Sequence, residues 1–166
     1  MPHPRQFFGL LLLLLAALAT PLAAADQWTP LFNGKDLSNW HMFMTTPDPS
    51  WDVPGMTRGA NGKYDAPIGL DKDPLHVFNI ETVDGGPVIH VTGQGFGTIT
   101  TKDSYGNFHV RLQVKWGDRK WGSKVNLPRD AGLLYFCHGP LGFEHATWPR
   151  SIEFQIQEHD IGDLYA

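Results

Sequence analysis

Between residues 148 and 160 the chain reads WPRSIEFQIQEHD, with Glu153, Gln155 and Gln157 at every second position and Glu158, His159 and Asp160 directly after them. Carboxylates exchange protons and amides bind hydroxyl groups, so a row of both on one strand face could handle a polyhydroxylated ligand. The same alternation is also the default for the wet side of an antiparallel sheet. A second polar row, His109, Arg111, Gln113 and Lys115, repeats the pattern with basic groups. If the two strands share a sheet, acidic and basic side chains share a surface. A third group, His138, Glu144 and His145, lacks the spacing of a metal motif such as two histidines four apart on a helix. Solvent-exposed loop histidines are a plainer account of it than a metal site. Cys137 is the only cysteine; it lies in an apolar run and reads as a buried small hydrophobe rather than a nucleophile.

These groups need strands to hold them. From 151 to 158 Ile152, Phe154 and Ile156 alternate with the polar row, which predicts a strand with one face on a core. Residues 108–116 show the longest alternation, with Phe108, Val110, Leu112, Val114 and Trp116 opposite the basic row. Residues 131–138, AGLLYFCH, are almost continuously apolar and read as a central strand. Two runs, 77–82 and 88–92, flank Asp84, Gly85 and Gly86 and predict a hairpin, and residues 97–101 form another short strand. Asn33-Gly34 is a turn signal. Residues 117–128 are polar and turn-rich around Trp121 and read as a hairpin connection, and residues 139–147 as a loop. Residues 45–74 are rich in Pro, Gly and Asp and read as a long loop, with Trp51 and Tyr64 anchoring it to the body or stacking on a sugar. The absence of any sustained helical stripe makes the chain all-β.

The first 25 residues carry a basic start (His3, Arg5), an apolar run and small residues at Ala23, Ala24 and Ala25, the three regions of a signal peptide cleaved before Asp26. The apolar run falls short of the roughly 20 residues a membrane span requires. This predicts an exported, periplasmic or secreted protein with no membrane association after cleavage. The remaining chain, residues 26–166, suffices for one domain with a core. Its 13 Lys plus Arg, less Arg5, stand against 17 Asp plus Glu, a net charge of −5. Mild acidity argues against nucleic acid as a partner. A single cysteine means export without an intramolecular disulfide.

Four stretches taken in order, FNGKDLSNW at 32–40, GTITTKDSYGNFHVRL at 97–112, DAGLLY at 130–135 and SIEFQIQE at 151–158, resemble the 3-keto-disaccharide hydrolase domain family. The resemblance implies a concanavalin A-like jelly-roll sandwich of two antiparallel sheets with the ligand on a concave face. The strands countable here are fewer than such a sandwich needs, which predicts unpaired edges and an incomplete C-terminal end.

The resemblance also implies a carbohydrate substrate and an activity. A ketone at C3 of a glycoside acidifies the C2 hydrogen and turns the C1 substituent into a leaving group, by elimination or net hydrolysis. Such cleavage needs a base at C2, a stabiliser for the enolate and an acid for the departing oxygen. Glu153 is the candidate base, Glu158 or His159 the candidate acid, and Arg111 and Lys115 the enolate partners, unless a divalent cation takes that role. Gln155, Gln157 and Trp148 would position sugar hydroxyls and a ring face; Arg150 would contact substrate or make a structural ion pair. Laminarinase-type hydrolases of the same fold carry E-x-D-x-x-E, matched here by Glu153, Gln155 and Glu158. The retaining mechanism needs carboxyls about 5–5.5 Å apart, and strict alternation separates Glu158 from Glu153 unless a bulge intervenes. A non-catalytic, lectin-like carbohydrate-binding module and a structural or adhesive domain are the other readings, since a fold does not determine its function.

Overall fold

Short strands and turns make up nearly all the regular structure, as the Gly and Pro content requires. The computed structural model describes residues 28–166; the predicted leader lies outside the described residues. Strands β1 (Trp40–Met44), β2 (Gly69–Leu70) and β5 (Gly97–Thr101) form an antiparallel sheet in the order β2-β1-β5. Strands β3 (Phe78–Val83) and β4 (Gly86–Val91) form the predicted hairpin. Its turn residues Asp84 and Gly85 both have positive φ, 52° and 82°, the backbone a tight two-residue hairpin turn demands. Strands β6 (Asp130–His138), β7 (Arg150–Gln157) and β8 (Asp160–Tyr165) form a third antiparallel sheet, ordered β6-β7-β8. The protein is thus all-β and antiparallel, with a 3₁₀ turn at Gly122–Lys124, consistent with the jelly-roll sandwich.

The best-buried core consists of Met44, Val53, Tyr64, Ile68, Val77 and Phe78, with Leu37, Trp51 and Ile99 packed against it. Burying each such side chain contributes about 1.5–3 kcal/mol. Residues 45–74, expected to be a loop, supply three of these side chains and the short strand β2. Tyr64 is an anchor here. Its hydroxyl donates to the carbonyl of Trp51 at 2.8 Å and accepts the Val53 N–H at 3.1 Å.

Four expectations need correction. Residues 108–116 form no strand, although their alternation is the longest in the chain. A strand needs a neighbouring backbone to take its N–H and C=O groups, and among the described residues no strand pairs with this stretch. Val110, Leu112 and Val114 consequently stand 40–50% exposed. Strand β6 is an edge and β7 the centre of its sheet, because β7 pairs on both sides. Cys137, on that edge beside a bulge, is exposed rather than buried. The apolar side of β7 is only partly covered: Ile156 is buried, while Phe154 is exposed.

Both irregularities of this sheet lie on the flanking strands. Between Tyr135 and His138 strand β6 carries an extra residue, with Phe136 at φ 53°, and β8 carries another opposite Gln155. β7 itself keeps strict alternation.

Candidate functional site

Because β7 is regular, Glu153, Gln155 and Gln157 emerge on one face. Opposite them on β6 lie Leu134, Gly132 and Asp130, and on β8 Tyr165 faces Glu153 while Asp160 faces Gln157. The carboxyl arm of Glu153 lies across Gly132. A Cβ at that glycine would fall 2.5 Å from Glu153 Cδ and 2.6 Å from Cγ, far inside contact distance. The missing side chain is what makes room for Glu153 on its diagonal neighbour.

Asp130 organises the rest of the patch. Its Oδ1 accepts a hydrogen bond from Gln155 Nε2 at 3.1 Å, and its Oδ2 pairs with Lys124 Nζ at 3.0 Å. A carboxylate only accepts, so this contact determines which way the Gln155 amide is turned. The amide oxygen is then left buried, with no partner among the described residues. Glu153 takes part in no ion pair among the described residues. Partial burial, and secondly the negative charge of Asp130, push its proton affinity above that of an ordinary carboxylate. A carboxylate with raised affinity and no counter-cation is suited to general-base work.

The other carboxylate of the motif serves differently. Glu158 sits in the turn between β7 and β8, where its carboxylate accepts from the Arg129 N–H at 3.0 Å, pairs with the Arg129 guanidinium and meets Lys120 Nζ at 3.1 Å. The Arg129 N–H first, and then Lys120, hold its carboxyl below the usual range, so it stays ionised. No bulge on β7 carries it round to Glu153. His159, the next residue, has φ 72° and is exposed at the tip of the same turn.

The remaining predicted residues do not converge on this patch. Arg150 falls on the opposite face of β7 by alternation, with its guanidinium over the Phe143 ring at 4.2 Å and its Nε 3.4 Å from Glu144. This is the structural ion pair weighed from sequence. Trp148 precedes β7, bridges to Glu144 and tilts against the His145 ring at 5.8 Å between centroids. Arg111 and Lys115 lie on the exposed 108–116 stretch rather than on the sheet of Glu153. Among the described residues, no group of three or more His, Cys, Asp or Glu side chains is placed to hold a metal.

Sequence reasoning passed over Asp130, Lys124 and Gly132. Asp130 opens the DAGLLY stretch two residues before Gly132, and parity with Gln157 and Gln155 in an antiparallel pair would have placed both beside Glu153. A groove of about 710 Å³ lined by residues 54–59, 65–68 and 72–74 contains none of the residues predicted for the site.

A family model described as the 3-keto-alpha-glucoside-1,2-lyase-like domain matches residues 27–166. No curated protein and no solved structure matches the chain.

Proposed function

This chain belongs to the 3-keto-alpha-glucoside-1,2-lyase-like domain family, and from that premise we propose that it is an exported enzyme cleaving 3-keto-glycosides with Glu153 as the base. The observation that carries the proposal is the state of Glu153: a partly buried, unpaired carboxylate of raised proton affinity on the central strand. The ketone at C3 makes the C2 hydrogen acidic enough for a carboxylate to remove. Glu153 takes that proton, the electron pair forms an enolate conjugated to the C3 oxygen, and collapse of the enolate expels the C1 substituent. The proton goes to Glu153, the leaving oxygen takes one from an acid, and the sugar product gains a C1–C2 double bond that water can later hydrate.

The surroundings support roles for the neighbours. Gln157, two residues beyond Gln155 on the same face, is placed to hydrogen-bond a sugar hydroxyl. Lys124, held on Asp130, is the cation carried by this patch and supports the enolate oxygen. Glu158 is committed to Arg129 and Lys120 and His159 stands at the tip of the turn six residues beyond Glu153, which leaves water as acid for the leaving group. A divalent cation would supply the same enolate stabilisation as Lys124. Export rests on the leader pattern in residues 1–25.

The test is turnover of a 3-keto-glucoside against the matching unoxidised glucoside by the mature protein and by Glu153→Gln, with and without chelator. Cleavage of the keto-sugar alone, lost in the variant, supports the proposal. Binding of both sugars with no cleavage of either would instead establish a lectin-like module.

A further inference from the structure

Glu153 has no ion-pair partner among the described residues, although an ammonium and an amide belong to the same group of side chains. Both are held by Asp130: Lys124 Nζ at 3.0 Å from Oδ2 and Gln155 Nε2 at 3.1 Å from Oδ1. We propose that Asp130 is a positioning residue for Glu153, occupying the two groups that would otherwise neutralise or hydrogen-bond its carboxylate and so keeping that carboxylate free to take a proton. The inference rests on Glu153 being the base and assigns Asp130, Lys124 and Gln155 to one device.

Three features of the geometry support it. First, Gly132 leaves Glu153 lying across β6 with no side chain between it and Asp130 on the same face of that strand. Second, the Gln155 amide is turned by Asp130, its Nε2 donating to Asp130 Oδ1 and not to Glu153, while its oxygen is buried with no partner among the described residues. Third, the other titratable groups on the strands beside Glu153 are Tyr135, Cys137 and His138 on β6, and on β8 Tyr165, directly across, with Asp163 and Asp160 further along it. Lys120 and Arg129 are engaged by Glu158, whereas Lys124 is engaged by Asp130, which holds its ammonium at this patch. Like charge on Asp130 also favours the protonated form of Glu153, in the same direction as burial.

The experiment follows the Glu153 side-chain carboxyl by ¹³C NMR across pH in the wild-type chain, D130N, K124M and the double variant. The amide introduced by D130N is isosteric with the carboxylate and keeps a hydrogen bond available to Gln155 while losing the charge. The titration midpoint of Glu153 must fall in D130N, and the acid limb of kcat/KM on a 3-keto-glucoside must move to lower pH with it. Adding K124M to D130N must raise the midpoint again, since the released ammonium is what stabilises the Glu153 anion. K124M alone, which leaves Asp130 uncompensated, must move the midpoint upward, and this arm stands even if D130N fails to fold. A midpoint unchanged or raised in D130N, or unchanged in K124M, overturns the proposal, because a purely structural Asp130 would lower activity without moving a titration. A midpoint that moves as expected in a protein without turnover keeps the role of Asp130 and sinks the lyase reading. Turnover lost in Glu153→Gln with no movement in D130N does the reverse.

Discussion

Replacing Gly132 with Ala isolates the placement of Glu153 from everything else on the sheet. Gly132 is not in the left-handed region, so its backbone accepts a side chain, and the three atoms nearest the new Cβ all belong to Glu153: Oε1 closest, then Cδ at 2.5 Å and Cγ at 2.6 Å. Carbon atoms in contact settle near 3.5 Å, so the carboxyl arm has to move by about 1 Å. The arm is the flexible end of a side chain, and displacing it costs about 0.5–1.5 kcal/mol, the range for an off-rotamer torsion. In a domain of this size that is a Tm loss of only a few degrees. A catalytic group misplaced by about 1 Å costs on the order of 100-fold in rate. G132A should therefore lose about 100-fold in kcat/KM on a 3-keto-glucoside while its thermal transition stays cooperative and within a few degrees of wild type. Wild-type turnover in G132A would refute the placement of the base over this glycine. Loss of activity only alongside loss of the folded signal would refute the separation of site from stability.

Other consequences are measured by unfolding. Tyr64→Phe removes the acceptor of the buried Val53 N–H and should cost about 1–3 kcal/mol in denaturant titration; a neutral result would show that residues 45–74 are not anchored this way. Glu153→Gln should be more stable than wild type at pH 7–8. The raised folded-state affinity of Glu153 contributes stability below its unfolded value near pH 4.3, and that contribution is lost as pH rises, so the gap should close in acid. Glu158→Gln should behave in the opposite way. Its affinity is lowered by Arg129 and Lys120, so it stabilises above about pH 4.3 and its loss should show at pH 7 and vanish on acidification.

Local alternation in residues 151–158 and the Asp84-Gly85 turn were legible because period-two patterning and positive-φ turn residues are properties of a few neighbouring residues. The polar face of Glu153, Gln155 and Gln157 followed directly from that period. What escaped was set by pairing. Residues 108–116 alternate as cleanly as β7, yet without a partner strand the pattern stays coil, and with it Arg111 and Lys115 leave the site. Asp130 and Lys124 enter the site only through the register of β6 against β7. The separation of Glu158 from Glu153 also depended on register: bulges exist in this sheet, but on β6 and β8 rather than on β7. Tyr64 and Val53 looked like loop residues because core membership of an aperiodic stretch carries no periodic signal.

The most direct test of the account is the C2 proton itself. Mature protein incubated with a 3-keto-glucoside deuterated at C2 should cleave it with a primary isotope effect and leave the unoxidised glucoside intact, and the cleavage should be lost when Glu153 is replaced by Gln. Equal cleavage of oxidised and unoxidised sugars, or undiminished turnover in Glu153→Gln, would contradict base-assisted loss of the C1 substituent at this patch.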